Sequence, residues 1–348
     1  MSNAGRQIYE QFRTVVILTA QVRVTDATWL DFLHHLRQGM VQQKHVDMVK
    51  LLSLIHNEVD KPNFEQDPWA SCSLVTPRHV VRESWNEESL HSHCHTTGHT
   101  LFHFPSDDSI QGRALTMTEQ LIVANQSRQR TQLQRTLKLA IGMRVLVTLN
   151  IKTELDLANG AKGTIVGIIL HPDEEVTPSP TVVLRYTPIC ILVKLDRTRM
   201  SKLPGLDDRV IPIEPAKKSF TISYSAEIRD RDSHDVQLTK IQKTVQRRQF
   251  PITGAYAFTD YRSQGQTFKS VIVDLAKPPT GGDLSLFNIY VALSRSSGRN
   301  TIRLLREVDE TMLYKSIDHQ LTLEDERLHR LNEETMNWWT THGSIPNH

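Results

Sequence analysis

Ala255-Tyr-Ala-Phe-Thr-Asp-Tyr-Arg-Ser-Gln-Gly-Gln-Thr-Phe268 and Asn288-Ile-Tyr-Val-Ala-Leu-Ser-Arg-Ser296 are the two stretches on which the reading of this sequence turns. In the first, an apolar lead-in gives way to a polar turn. Gly265 lets the backbone approach a neighbour closely, and Ser263, Gln264 and Thr267 can bond backbone or phosphate groups. A strand-to-helix turn that only caps its own helix needs one such residue rather than five in order. Tyr261 and Arg262 add a ring that can stack a base and a cation that can hold a phosphate. The second stretch ends on Arg295. A guanidinium is a rigid, always-charged fork suited to phosphate oxygens, although a lone arginine is more often a surface ion pair.

Working outward, strand-then-helix patterns flank these stretches. Ser270-Val-Ile-Val-Asp274 and Ile302-Arg-Leu-Leu305 read as buried strands. Near the start, Thr14-Val-Val-Ile-Leu-Thr19 predicts another buried parallel strand. Asp26 caps a helix that presents Trp29, Leu30, Leu33 and Leu36 on one face. Gly39 closes it, and Val46, Val49 and Leu52 mark a second helix. Ser73-Leu-Val-Thr-Pro77 predicts a strand, and a helix follows through Trp85 and Leu90. A last helix carries Leu328, Leu331 and Trp338, with Trp338 and Trp339 expected to dock on a core. Between residues 143 and 249 the period changes to short strands separated by Asn159-Gly160, Pro172-Asp173 and Pro204-Gly205. That pattern predicts a small antiparallel β-barrel inserted into an α/β domain. The expected division is 1–142, then the barrel at 143–249, then 250–348 as the remainder of the α/β domain with its C-terminal helix.

Composition narrows the function classes. The chain has 348 residues, 39% of them hydrophobic, with 41 Lys and Arg against 39 Asp and Glu for a formal +2. A polyacidic protein and a grossly polybasic one are both excluded, so any nucleic-acid surface must be local. No apolar run approaches the ~20 residues of a membrane helix, and no membrane partner is expected. Cys72, Cys94 and Cys190 are three widely spaced cysteines, which fits an intracellular, reducing compartment. No Gly-Lys dipeptide occurs, so the GxxxxGK[ST] phosphate loop is absent, as are His-Glu-x-x-His and Gly-x-Ser-x-Gly. Asp274 ends an apolar run as a magnesium-binding acid does, but the second acid is missing, and it reads as a strand-end residue. His91, His93, Cys94, His95, His99 and His103 match no standard zinc spacing, and histidines near a helix C-terminus have an electrostatic cause. The basic stretch Arg128, Arg130, Arg135 and Lys138 reads first as a solvated helix face.

The two opening stretches resemble motifs V and VI of superfamily 1 helicases. The petite-integration-frequency family and its RecD-like relatives match best, with typical strings T-x-H-K-S-Q-G-Q-T and Y-V-A-L-S-R. Val16-Ile-Leu-Thr-Ala-Gln-Val-Arg23 resembles motif IV, and Leu157-Ala-Asn-Gly-Ala-Lys-Gly163 the start of that family's Src-homology-3-like insertion. The resemblance runs from about residue 10 to residue 310. It implies a P-loop-NTPase-like (RecA-like) α/β domain, the second of two, carrying an inserted small barrel. It also implies the C-terminal half of an ATP-dependent 5′-to-3′ DNA helicase, nuclear or mitochondrial. In that family the motif VI arginine, here Arg295, is an arginine finger, and the motif IV arginine, here Arg23, a second phosphate contact. Gln264 and Gly265 join them as nucleotide-binding positions, and Thr259, Tyr261, Arg262, Ser263 and Thr267 fall on the DNA track. The implied partners are single-stranded or forked DNA and a first RecA-like domain, with ATP and Mg²⁺ bound only when that domain is supplied. This sequence departs from the family string at Asp260-Tyr261-Arg262. An Asp beside a phosphate track is unfavourable unless it turns inward. A non-catalytic nucleic-acid-binding or regulatory module with the same fold is the alternative.

Overall fold

The apolar run Val271–Val273 is buried at every residue, as a strand covered on both faces must be. In the computed structural model it is the third strand of a four-stranded sheet ordered Ala257–Phe258, Ser73–Val75, Val271–Val273, Ile302–Leu304. Ser73–Val75 and Ile302–Leu304 both run parallel to it, Ser73 opposite Val271 and Val271 opposite Ile302. A parallel bridge from Ser53 extends the sheet at Leu304, with Leu54 N–H donating to Leu304 O and Leu304 N–H to Leu52 O, each at 2.9 Å. The structure describes residues 3–56, 61–126, 133–199, 202–229, 236–266, 268–279 and 282–342. The chain forms two compact units, residues 1–79 with 258–348, and residues 80–257.

The first unit is the α/β one. Asp26 caps Ala27–Arg37 by accepting from Thr28 N–H and Trp29 N–H. The helix buries Trp29, Phe32, Leu33 and Leu36, the three- and four-residue spacing of one face. Gly39 follows at φ +65°, the left-handed position where a side chain would be strained. Gln43–Lys50 buries Val46 and Val49. Two expectations fail here. Thr14–Thr19 forms no strand and belongs to no sheet, and Val16 and Leu18 are 62% and 88% exposed. Its Val15 and Ile17 N–H groups donate to Thr335 Oγ1 and Asn332 Oδ1 of the helix His319–His342, so no ladder takes them. In that helix Leu331 is buried, but Trp338, one heptad further along the same stripe, is 58% exposed and Trp339 51%. The helix has outrun the surface it lies on, and neither tryptophan docks.

The second unit contains a five-stranded antiparallel sheet ordered Val210–Ile213, Cys190–Leu195, Lys162–Ile169, Arg144–Val147, Ile252–Gly254. Among the described residues its two edge strands do not pair, so the expected barrel is an open sheet. Closure needs every strand to have two neighbours, and Thr181–Val183, within the stretch expected to form the barrel, instead pairs in parallel with Leu101–Pro105. The long ribbon of Ala216–Arg229 and Val236–Gln249 belongs to a third sheet with Asp107–Ile110 and Arg113–Ala114. One apolar cluster joins Leu90, Leu101, Phe104 and Leu139 to Val145, Ile165, Val193 and Phe250. This shared core lies within the unit of residues 80–257, which includes the stretch 143–249. Arg128 and Arg130 lie outside the described residues, and Lys138 pairs with Glu87.

A buried ion pair anchors the third sheet. Arg247, 1% exposed, donates from Nε and Nη2 to both Asp108 carboxylate oxygens at 2.8 and 2.7 Å, and from Nη1 to Leu133 O. Asp108→Ala leaves that guanidinium buried without its anion. A loss of about 3–5 kcal/mol is expected for the second unit, read from urea unfolding of the wild type and the variant.

Candidate functional site

Thr259 opens the polar turn as a helix cap, its Oγ1 accepting from Arg262 N–H ahead of the single turn Asp260–Ser263. Ser263 is fully buried and its hydroxyl donates to Asp260 O at 2.6 Å. Asp260 does turn inward, at 7% exposure, and accepts from the side-chain amide of Asn288. Tyr261 faces solvent, 69% exposed, and Arg262 is half-buried. Gly265 stands at φ +77° with open space where a Cβ would project, and Gln264 is exposed. Gln266 donates from Nε2 to Arg262 O at 2.8 Å, while its Oε1 is buried without a hydrogen-bond partner. Thr267 lies outside the described residues.

The helix Leu286–Leu293 packs on this turn. Ser285 caps it by accepting from Asn288 N–H, and Asn288 Oδ1 accepts from Ser285 N–H, a reciprocal box. Just past its end, Arg295 is only 6% exposed. Its Nε donates to Val291 O at 2.7 Å, Nη2 to Ser294 Oγ at 2.7 Å, and Nη1 to Ser263 O and Gln266 O at 3.3 Å each. Burial, reinforced by the neighbouring Arg23 charge, pulls its pKa down to about 10.

Arg23 reaches the same place from the other end of the chain. Thr25 N–H donates to Ser297 O at 2.9 Å, and Asp26 takes a two-point ion pair from Arg299, Nε to Oδ2 at 2.6 Å and Nη2 to Oδ1 at 3.1 Å. A Cβ on Gly298 would stand 2.7 Å from that of Asp26, so only glycine permits the approach. Docked this way, half-buried Arg23 donates from Nη1 to Ser294 O at 3.2 Å. Two guanidinium groups thus share one serine.

The structure therefore unites Arg295, Arg23, Ser263 and the turn through Gly265, and leaves Tyr261 and Gln264 facing solvent. It gives Thr259 and Ser263 internal partners. Sequence reasoning passed over Asn288 and Gln266. The signal for Asn288 was Asp260 itself, since a buried acid in an apolar position needs a donor. A cavity of about 10 Å³ between these elements, lined by Asp260, Asp274 and Asn288, has room for one water and not for a ligand. Asp274 accepts from Thr76 Oγ1 at 3.0 Å and pairs with Arg306 at 2.9 Å, a set that leaves it a structural acid. Arg295 and Arg23 suit the anionic phosphate end of a nucleotide; Asp274, already neutralised, does not suit Mg²⁺. His93 bonds Ile141 O at 2.9 Å. Among the described residues the grouping with ligand-like spacing is Asp31, His35 and His45. There Gln42 N–H donates to His45 Nδ1, so Nε2 carries the hydrogen toward Asp31 and is not a free ligand.

A parallel α/β sheet with a strand–turn–helix carrying paired arginines defines the class as a RecA-like helicase fold. Solved structures agree. The Pif1 helicase of Candida albicans matches at 19% identity over 87% of this chain and 58% of its own, with a TM-score of 0.52. A Bacteroides Pif1 bound to single-stranded DNA matches at 17% over 95% of this chain and 64% of its own, TM-score 0.56. The same helicase in complex with ADP-AlF₃ and single-stranded DNA gives 0.54. The ATP-dependent DNA helicase RRM3 of Saccharomyces cerevisiae is 22% identical over 83% of this chain and 40% of its own length. No family model matches. The resemblance to petite-integration-frequency helicases holds, and the chain spans about two fifths of that curated relative and about three fifths of the solved ones.

The Asp26–Arg299 pair gives the site a pH signature. The Arg299 guanidinium holds the Asp26 carboxyl down to about 2, against an opposing effect of burial. A depressed carboxylate stabilises above its unfolded pKa of about 4 and loses that contribution as pH falls through about 2. Asn caps a helix nearly as well as Asp, so Asp26→Asn isolates the ion pair. The variant should be less stable by about 1–2 kcal/mol at pH 7, after discounting for the part-exposed Arg299. Melts across pH 7 to 2 should show the two proteins converging below about pH 4.

Proposed function

We propose that this chain is the second-domain half of an ATP-dependent DNA helicase. Arg295 and Arg23 contact the phosphate end of a nucleotide held by a first RecA-like domain, and Tyr261 and Arg262 grip single-stranded DNA. The observation that carries this reading is the convergence of Arg295 and Arg23 on Ser294, hard against the turn from Thr259 to Gln266. Two like charges held side by side are a site that an anion relieves. The same turn presents Tyr261 to solvent. A reaction site and a strand contact therefore lie on one short segment, which is what coupling hydrolysis to movement along DNA requires. Similar helicases solved with forked or single-stranded DNA and with ADP-AlF₃ support the same assignment.

Each residue has a limited task. Arg295 and Arg23 supply fixed positive charge where charge develops on a transferred phosphoryl group. Mg²⁺ and the nucleotide supply the phosphoryl chemistry itself, and no residue described above holds them unaided. The chain alone should hydrolyse no ATP above background. With a first RecA-like domain of this family supplied in trans, DNA-stimulated hydrolysis should appear. Arg295→Ala should then lower kcat about 10³-fold or more while changing ATP affinity less. A kcat near wild type removes the finger assignment. It would favour a non-catalytic nucleic-acid-binding module, the reading that the inward-turned Arg295 also suits.

The strand contacts separate by salt. With a formal charge of only +2, binding must rest on a few local cations. Arg262→Ala should reduce the slope of log K against log salt by about 0.7, the value for one single-strand phosphate. Tyr261→Ala should cost about 1–3 kcal/mol with the slope unchanged, as lost stacking does. Fluorescence anisotropy with an oligothymidine over a salt series, in the presence of the first domain, measures both.

A further inference from the structure

We propose that Asp260 is a positioning residue for Arg295: acting through Asn288, it sets the register of the helix Leu286–Leu293 against the polar turn, and that register keeps the arginine turned inward. Its functional meaning rests on reading Arg295 as the phosphate contact, but its geometry does not. Burying a carboxylate costs several kcal/mol, and an exposed Asp would start a helix equally well. What the burial of Asp260 secures is one amide. Asn288 Nδ2 donates to Asp260 Oδ2, while Asn288 Oδ1 accepts from Ser285 N–H at 3.3 Å and Ser285 Oγ at 2.5 Å. With both ends of its amide engaged, Asn288 has one orientation, and the start of the helix is pinned to the start of the turn.

The far end is pinned by Arg295. Asn288 sits in the first turn of the helix and Arg295 just past its end, and both reach the polar turn, Asn288 at Asp260 and Arg295 at Ser263 and Gln266. The two ties differ in strength. Within its own segment Arg295 holds Val291 O and Ser294 Oγ at 2.7 Å, but it reaches Ser263 O and Gln266 O at 3.3 Å. Contacts that long are near the limit of a hydrogen bond, and a shift of roughly half an ångström breaks both. The register set at Asn288 therefore decides whether Arg295 stays with the turn or is released from it. In a helicase, that places control of the finger in a residue that touches neither nucleotide nor DNA.

Arginine-selective labelling of the 348-residue chain with phenylglyoxal, quantified peptide by peptide, tests this without any ATPase assay. Arg199, with its side chain 86% exposed, sets the unprotected rate. Arg299, four residues from Arg295 and paired with Asp26, reports general loosening of the neighbourhood. In the wild type Arg295 should react about tenfold or more slowly than Arg199, because labelling then waits on local opening. Asp260→Leu should raise the Arg295 rate about fivefold or more with Arg299 unchanged. Asp260→Asn keeps an acceptor for Asn288 and should stay near wild type. The proposal is overturned if Asp260→Leu leaves Arg295 protected, if Arg295 and Arg299 rise together, or if Asp260→Asn frees Arg295 as fully as Asp260→Leu. Should Asp260→Leu not fold, Asn288→Ala is judged by the same rates. Loss of the finger assignment in the ATPase assay would leave this result standing, and the converse also holds.

Discussion

A guanidinium taken out of water needs hydrogen-bond partners inside, and Arg295 gives four of its five N–H donors to neutral oxygens. Much of the first unit's local order follows from that requirement. Two of the oxygens are carbonyls of the polar turn, so satisfying the arginine fixes the turn against the helix. The other two belong to the helix end and its cap, so the same contacts tighten the point where Arg23 docks. Neutral oxygens solvate a cation without cancelling its charge. Arg295 consequently stays cationic in a place where burial and Arg23 both press against it. A carboxylate at this position would have been the simpler solution for stability, but it would also have removed the positive field.

The same contrast explains what could be read in the sequence. Val271–Val273, buried at every residue, announced itself as an unbroken apolar run, because a strand covered on both faces has no polar side to show. The cap at Asp26 and the stop at Gly39 were equally legible, since each depends on one residue and its immediate neighbours. Thr14–Thr19 has the same apolar look, yet its N–H groups go to Asn332 and Thr335, more than 300 residues away in sequence. Nothing local distinguishes a run that enters a ladder from one that lies on a helix. The site divided along the same line. Arg295, Arg23 and the turn were legible as motifs, whereas the partnership of Asp260 with Asn288 was not. An inward Asp could be anticipated only as a condition, and its donor lies 28 residues on.

The second unit shows the limit of counting strands. Short strands at close spacing are consistent with a barrel or with several small sheets, and the periodicity is identical in both. What separates them is which strand each edge finds. Here Thr181–Val183 leaves for Leu101–Pro105, and Ala216–Arg229 pairs over its full length with Val236–Gln249, so the five-stranded sheet, with Ile252–Gly254 at one edge, stays open. The apolar cluster from Leu90 to Phe250 then does what closure would have done, covering one face of the open sheet with residues from outside the expected insertion.

How a unit of this size can interrupt an α/β sheet follows from where the chain leaves and returns. It leaves after the strand Ser73–Val75 and comes back at Phe258, and these two strands are neighbours, with Thr76 N–H donating to Phe258 O at 3.0 Å. Departure and return therefore lie one strand spacing apart. An inserted segment whose ends meet at adjacent positions imposes little strain on its host, whatever its length, because the host sees only a loop closed by a backbone hydrogen bond. The insertion also falls on the strand that precedes the turn: Phe258 is followed at once by Thr259, the cap of Asp260–Ser263. The geometry of the turn is thus anchored on one side by a strand fixed in the sheet and on the other by Arg295.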